Sequence, residues 1–138
     1  MQTQPVSGSG FRFEAPDGWA LKRGGGAVSA ANGDVDLIEV RTFRLVKPYR
    51  VALFDATTRE LDDVIDRIAK QLSGQVATRE TITIAGRKAR AYRVDYDGKV
   101  QEIAFVLRER SEYQLLCRRA AGADGASCSL LRESFALR

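Results

Sequence analysis

No histidine occurs among the 138 residues. The commonest general base and metal ligand is therefore missing, and with it Ser-His-Asp, Cys-His and His-zinc chemistry. Carboxylates, lysine, tyrosine and cysteine are left to carry any reaction. The only cysteines, Cys117 and Cys128, are too few for a four-ligand zinc site, and three readings stand for them. A disulfide would close about a dozen residues and add on the order of 3 kcal/mol by loop-closure entropy. Two reduced thiols would pack as small apolar groups. A redox pair is the weakest of the three, because the spacing is not C-x-x-C. The even count favours the disulfide. No metal site and no cofactor are expected.

Other constellations have simpler explanations. Glu60, Asp62, Asp63 and Asp66 form a carboxylate run, but at helical spacing Arg59–Asp63, Asp63–Arg67 and Asp66–Lys70 become i,i+4 pairs on a solvated face. Asp95 and Asp97 precede Gly98 as turn chemistry, without the further acidic ligands of a calcium loop. Ser7-Gly8-Ser9-Gly10 and Gly24-Gly25-Gly26 lack the strand-loop-helix setting and the Lys-Ser/Thr ending of a phosphate cradle. Arg87, Lys88, Arg90, Arg93, Arg108, Arg110, Arg118 and Arg119 suggest a basic ladder near Tyr92, Tyr96 and Tyr113. The two-residue period of a strand sends Lys88 and Arg90 to one face and Arg87 and Arg93 to the other, so no nucleic-acid stripe is expected.

The longest irregular stretch, Val46 to Ala56, is the candidate partner loop. Its Lys47, Tyr49, Arg50 and Phe54 have the composition of interaction hot spots, against the plainer reading in which Leu53 and Phe54 tuck under a helix. Trp19 reads as a lid at the edge of the core.

The elements around these residues follow from periodicity. Phe11 to Ala15 alternates and meets the Pro16-Asp17-Gly18 turn. Ala27 to Ala31 and Val35 to Leu45 flank Asn32-Gly33, a two-residue hairpin signal. The second arm is apolar on both parities, through Leu37 and Phe43 and through Ile38 and Val40, which predicts cover on both faces. Leu61, Val64, Ile65, Ile68 and Leu72 define a helix with one buried stripe. Thr57 to Glu60 reads as its capping box and Gly74 as its left-handed stop. Four strands follow, Val76 to Ile84, Arg87 to Tyr96, Lys99 to Arg108 and Glu112 to Arg119, with joins at Ala85-Gly86, Asp97-Gly98 and Arg110-Ser111 that enforce antiparallel neighbours. Cys128, Leu131 and Phe135 sketch a short closing helix.

A net charge of +4, with 29% charged and 44% hydrophobic residues, excludes disordered, collagen-like and coiled-coil classes. The length suits one domain. No stretch approaches the ~18 apolar residues of a membrane span. Residues 1–10, MQTQPVSGSG, have neither the basic nor the apolar region of a signal peptide. They read as a flexible lead-in, of the sort that follows a removed signal or lipid-anchor segment. Residues 11–138 form the expected single domain: an α+β, αβα sandwich, its central and mostly antiparallel sheet flanked by helices on both faces.

The order of pieces resembles the PsbP-like superfamily. The likeness rests on Phe13-Glu14-Ala15-Pro16-Asp17-Gly18-Trp19, the mid-chain helix, Ile84-Ala85-Gly86-Arg87, Tyr113-Gln114-Leu115-Leu116-Cys117 and Glu133-Ser134-Phe135. That superfamily includes the photosystem II extrinsic protein, the Mog-type Ran-binding factor and many bacterial secreted proteins and lipoproteins, to which the resemblance is closest. It implies an αβα sandwich, no catalytic centre and a role as a binding or assembly accessory with a protein partner. The expected setting is extracytoplasmic, with possible membrane tethering through an N-terminal segment. The alternatives are a cytoplasmic chaperone or adaptor similar to secretion-effector chaperones and, third, a small enzyme without histidine chemistry.

Overall fold

Tight left-handed turns decide most of the architecture. In the computed structural model, which describes residues 1–138, Ala85-Gly86 and Asp97-Gly98 take φ of 51 and 74 and of 47 and 70. This is the primed-turn geometry whose twist matches antiparallel arms. The strands are β1 Thr3–Gly8, β2 Phe11–Pro16, β3 Ala20–Gly24, β4 Ala27–Asn32, β5 Asp36–Tyr49, β6 Gln75–Ile84, β7 Arg87–Tyr96, β8 Lys99–Ala120 and β9 Ala136–Leu137, and the helices are α1 Phe54–Gln71 and α2 Ala126–Ser134.

The 22 residues of β8 would span roughly 70 Å if straight. Its ends nevertheless meet: the Ala121 amide donates to the Gly98 carbonyl at 2.9 Å. The chain reverses at Glu109, where φ is 53. β8 is thus a hairpin, with an outgoing arm that pairs with β7 from Lys99 to Phe105 and a returning arm that pairs with β5 from Ser111 to Arg118. The two strands expected here are its arms, and the turn falls at Glu109, just before the expected Arg110-Ser111. The large sheet runs β3-β4-β5-β8-β7-β6, all antiparallel, and a small sheet runs β1-β2-β9.

One face of the large sheet carries α1, whose Leu61, Ile65 and Ala69 pack on Tyr92, Val94, Ile103, Phe105 and Leu107. On the opposite face Val6, Phe11 and Phe13 of the small sheet, with Leu131 and Phe135 at α2, pack on Val28, Ile38, Val40, Tyr113 and Leu115. The rings of Phe11, Tyr113 and Phe135 stand 5.8–5.9 Å apart at the centre of this layer.

This corrects the expected αβα sandwich. The chain is 59% strand and 22% helix, in two antiparallel sheets with two helices. One face is covered chiefly by the small sheet, and the other by a single helix that reaches only part of it. Residues 1–10 cause much of the difference. Val6 is their one branched apolar residue, too little to signal a strand, yet it is buried and every residue of β1 pairs with β2, from Thr3 with Pro16 to Gly8 with Phe11. The glycine that suggested a tether is a packing site, because a Cβ at Gly8 would lie 2.1 Å from the Phe11 ring.

Smaller departures have local causes. Asn32 pairs with Asp36, so the loop between β4 and β5 is Gly33 to Val35, one residue longer than expected. β5 continues to Tyr49 and a single 3-10 turn, Val51–Leu53, leads into α1. The helix therefore starts at Phe54, before the expected capping box, with no side-chain cap. At its other end Ser73 takes the left-handed conformation, φ 54. Gly74 is needed for a close approach instead, since a Cβ there would sit 2.6 Å from the Asp95 carbonyl oxygen.

Candidate functional site

α1 lies over β6, β7 and the outgoing arm of β8, and leaves the same face of β5 and the returning arm open. Alternation along β5 buries Ile38 and Val40 completely and turns Leu37 and Phe43 toward this open side. The expected cover on both faces of β5 is therefore absent; Phe43 is 40% exposed. Between the open strands and the first turns of α1 lies a groove of about 540 Å³, walled by Phe43, Leu45, Leu53, Leu61 and Val64 with Phe105 and Leu107 at its floor. Six large apolar side chains are exposed in the whole molecule, and four of them, Phe43, Val46, Val51 and Leu53, gather at this end of α1. That concentration marks the site, because isolated exposed apolar residues need no explanation and clustered ones do.

The expected partner loop contributes unevenly. Lys47 is exposed and lines the groove; Tyr49 is half-buried, lines it too, and faces a second depression with Val51 and Arg87. Burial pushes the Tyr49 phenol above its ordinary value, partly offset by Arg87. Arg50 is exposed, does not line the groove, and uses its carbonyl to accept the Leu53 amide at 2.8 Å. Phe54 is buried, with Lys88 Nζ 5.6 Å from its ring centroid. It is buried at the start of α1, whereas Leu53, which the plainer reading also tucks under the helix, is exposed.

Two carboxylates stand in the groove, Glu60 from α1 and Glu112 from the returning arm. Burial raises the Glu112 carboxyl above its ordinary value, and the negative charge of Glu60 raises it further. Neither belongs to any ion pair. Sequence reading puts Glu60 on a solvated helix face and Leu53 under the helix, and singles out neither Glu112 nor Phe43 for binding, whereas Val46, Val51 and Leu53 fall inside the expected loop. The parity of Phe43 and Leu45, opposite to Ile38 and Val40, was the available signal.

Two other helix carboxylates, Asp62 and Asp66, are committed. Asp62 accepts from the Tyr92 hydroxyl and from Arg90 Nε at 3.2 Å, and Asp66 pairs with Arg79. Burial pushes the Asp62 carboxyl up, but the hydrogen bonds from Tyr92 and Arg90 outweigh it and hold it below its ordinary value. Burial, and then the bond to Asp62, raises the Tyr92 phenol. The i,i+4 pairs expected within α1 do not form; these cross-element bonds clamp the helix to the sheet instead.

The suspected basic ladder is likewise divided among separate tasks. Arg93 pairs with Asp95, Arg108 donates to the Arg138 carbonyl, Arg110 to the Val46 carbonyl and Arg118 to the Val35 carbonyl. Arg119 and Arg132 both hold Glu102 beside a cleft of about 330 Å³ on the α2 face. The wall of that cleft includes the Cys117–Cys128 disulfide, which joins the returning arm to α2 with Cα atoms 5.4 Å apart. No group of three or more carboxylates or cysteines is placed to hold a metal ion, and no helix is long and apolar enough to cross a membrane.

No family model matches the chain, and no curated protein matches it in sequence. Among solved structures, a protein of Bacteroides thetaiotaomicron VPI-5482 determined at 1.50 Å is similar, with a TM-score of 0.66 at 12% identity over 99% of this chain and 48% of that one. At that identity the likeness shows the fold alone. The chain spans about half the length of that protein.

Proposed function

We propose that this chain is a non-enzymatic binding or assembly accessory domain that receives a partner protein in the groove between α1 and β5. One observation carries the reading: of the six exposed large apolar side chains, Phe43, Val46 and Leu53 line that groove and Val51 lines the depression beside it. A volume of about 540 Å³, mostly apolar with a few polar groups, is the composition of a binding site, and an amphipathic segment laid in such a groove buries its apolar face there.

The setting we propose is extracytoplasmic, as the globular part of a bacterial secreted or lipid-anchored protein. The disulfide supports this, because such bonds persist in oxidising compartments. The sequence resemblance to the secreted members of the PsbP-like superfamily supports an accessory role in the same direction. The test is site-specific photo-crosslinking in the organism of origin, with the reactive side chain at Val46 or Leu53 and, for comparison, at Leu21. A discrete cross-linked protein from Val46 and Leu53, absent from Leu21, is the expected result. Equal capture from all three positions, or none from any, refutes the proposal.

A further inference from the structure

Two carboxylates that line the groove, Glu60 and Glu112, stand outside the ion pairs of this protein. Seven ion pairs engage Glu39, Asp62, Asp66, Asp95, Asp97 and Glu102, each with an Arg or Lys. Glu60 and Glu112 share the groove without a basic partner in a chain whose net charge is +4. The one basic side chain lining the same groove, Lys47, lies beyond ion-pair distance of both. Nothing in the fold uses this pair: α1 is held to the sheet by Asp62, by Asp66 and by its apolar stripe. Two adjacent carboxylates against apolar walls repel each other and resist desolvation, and a cation placed between them relieves both costs.

We infer that the groove recognises a peptide segment of the partner in which an arginine or lysine stands beside apolar side chains, its cationic head between Glu60 and Glu112 and its apolar neighbours against Phe43, Leu53 and Val64. The assignment rests on the proposed binding role of the groove and names what occupies it. Charge complementarity selects the cation. The apolar walls and a volume much larger than one ammonium or guanidinium group select a peptide over a small free amine. Arginine fits this use particularly well, since its weakly hydrated planar head is favoured at desolvated interfaces.

A random dodecapeptide display library panned on four folded proteins tests this: the wild type, Glu60→Gln/Glu112→Gln, Phe43→Asp and Val46→Asp. Phe43 and Val46 are 40% and 90% exposed, so either variant can report on the groove if the other is unstable, and the glutamine pair removes only charge. Clones selected on the wild type and lost on the aspartate variants should be enriched in Arg or Lys flanked by apolar residues. They should bind Glu60→Gln/Glu112→Gln about tenfold or more weakly. Groove-dependent clones without basic enrichment, or with unchanged affinity for the glutamine variant, overturn the charge assignment while the groove reading stands. An absence of any clone sensitive to Phe43→Asp and Val46→Asp overturns both. Competition by n-butylguanidinium alone at the affinity of the selected peptides overturns the peptide in favour of a small cation.

Discussion

Reducing the Cys117–Cys128 bond should lower the melting temperature by about 10 °C and leave the groove intact. The bond closes a loop with a sequence separation of 11, for which loop-closure entropy gives about 2.8 kcal/mol at 25 °C. An unfolding entropy of about 0.29 kcal/mol/K for a chain of this length converts that figure to the stated shift. Reduction keeps both sulfur atoms in place, so it isolates the cross-link. Replacing Cys117 and Cys128 by alanine also empties space in a core where they are 2% and 1% exposed, and should cost roughly 1 kcal/mol more. The assay is thermal melting by circular dichroism with and without a phosphine reductant, with thiols counted after denaturation. Because the bond lies on the α2 face and the groove on the α1 face, peptide binding measured at a temperature below both melting transitions should survive reduction. A shift under about 3 °C with two free thiols counted, or loss of binding while the protein remains folded, would refute this separation of staple from site.

Three further perturbations test the supports of the site. Asp62→Ala removes the acceptor of Tyr92 and Arg90 and should cost roughly 1.5–3 kcal/mol in urea unfolding at neutral pH. The cost should shrink in acid, because a carboxyl held below its ordinary value stabilises the fold above its unfolded value of 3.8 and loses that contribution as pH falls through the lower folded value. Glu112→Gln should be more stable than wild type at neutral pH. The raised carboxyl penalises the fold when ionised, and the gap should close as pH falls through its folded value toward the ordinary 4.5; a constant gap across that window would contradict the assignment. Gly74→Ala should destabilise by roughly 1–3 kcal/mol through its clash with the Asp95 carbonyl, and an unchanged urea midpoint would contradict it.

Periodicity made the middle of the chain legible. The stripe of Leu61, Ile65 and Ile68 places α1, and the Ala85-Gly86 and Asp97-Gly98 joins set the antiparallel register of β6, β7 and β8. These signals are local, and every residue involved except Ala85, held at a left-handed φ of 51, obeys its own preference. The first strand was illegible for the opposite reason: Val6 carries too little apolar pattern by itself, and β1 exists because β2 and the core beneath it supply the partner. The αβα layering failed for the same reason, since which element covers a face is a long-range fact. Within the site, Lys47 and Tyr49 could be found by composition. Glu60 and Glu112 could not, because they lie 52 positions apart in the sequence and share a groove only after β8 folds back beside β5.

Chemical-shift mapping of a selected peptide on the isotope-labelled chain tests the central claim most directly. If the α1/β5 groove is the partner site, the largest amide shifts on titration fall between Phe43 and Leu61 and at Glu112 and Gln114, around the groove. Shifts concentrated at Glu102, Arg119 and Arg132 beside the disulfide, with the groove unmoved, would contradict it.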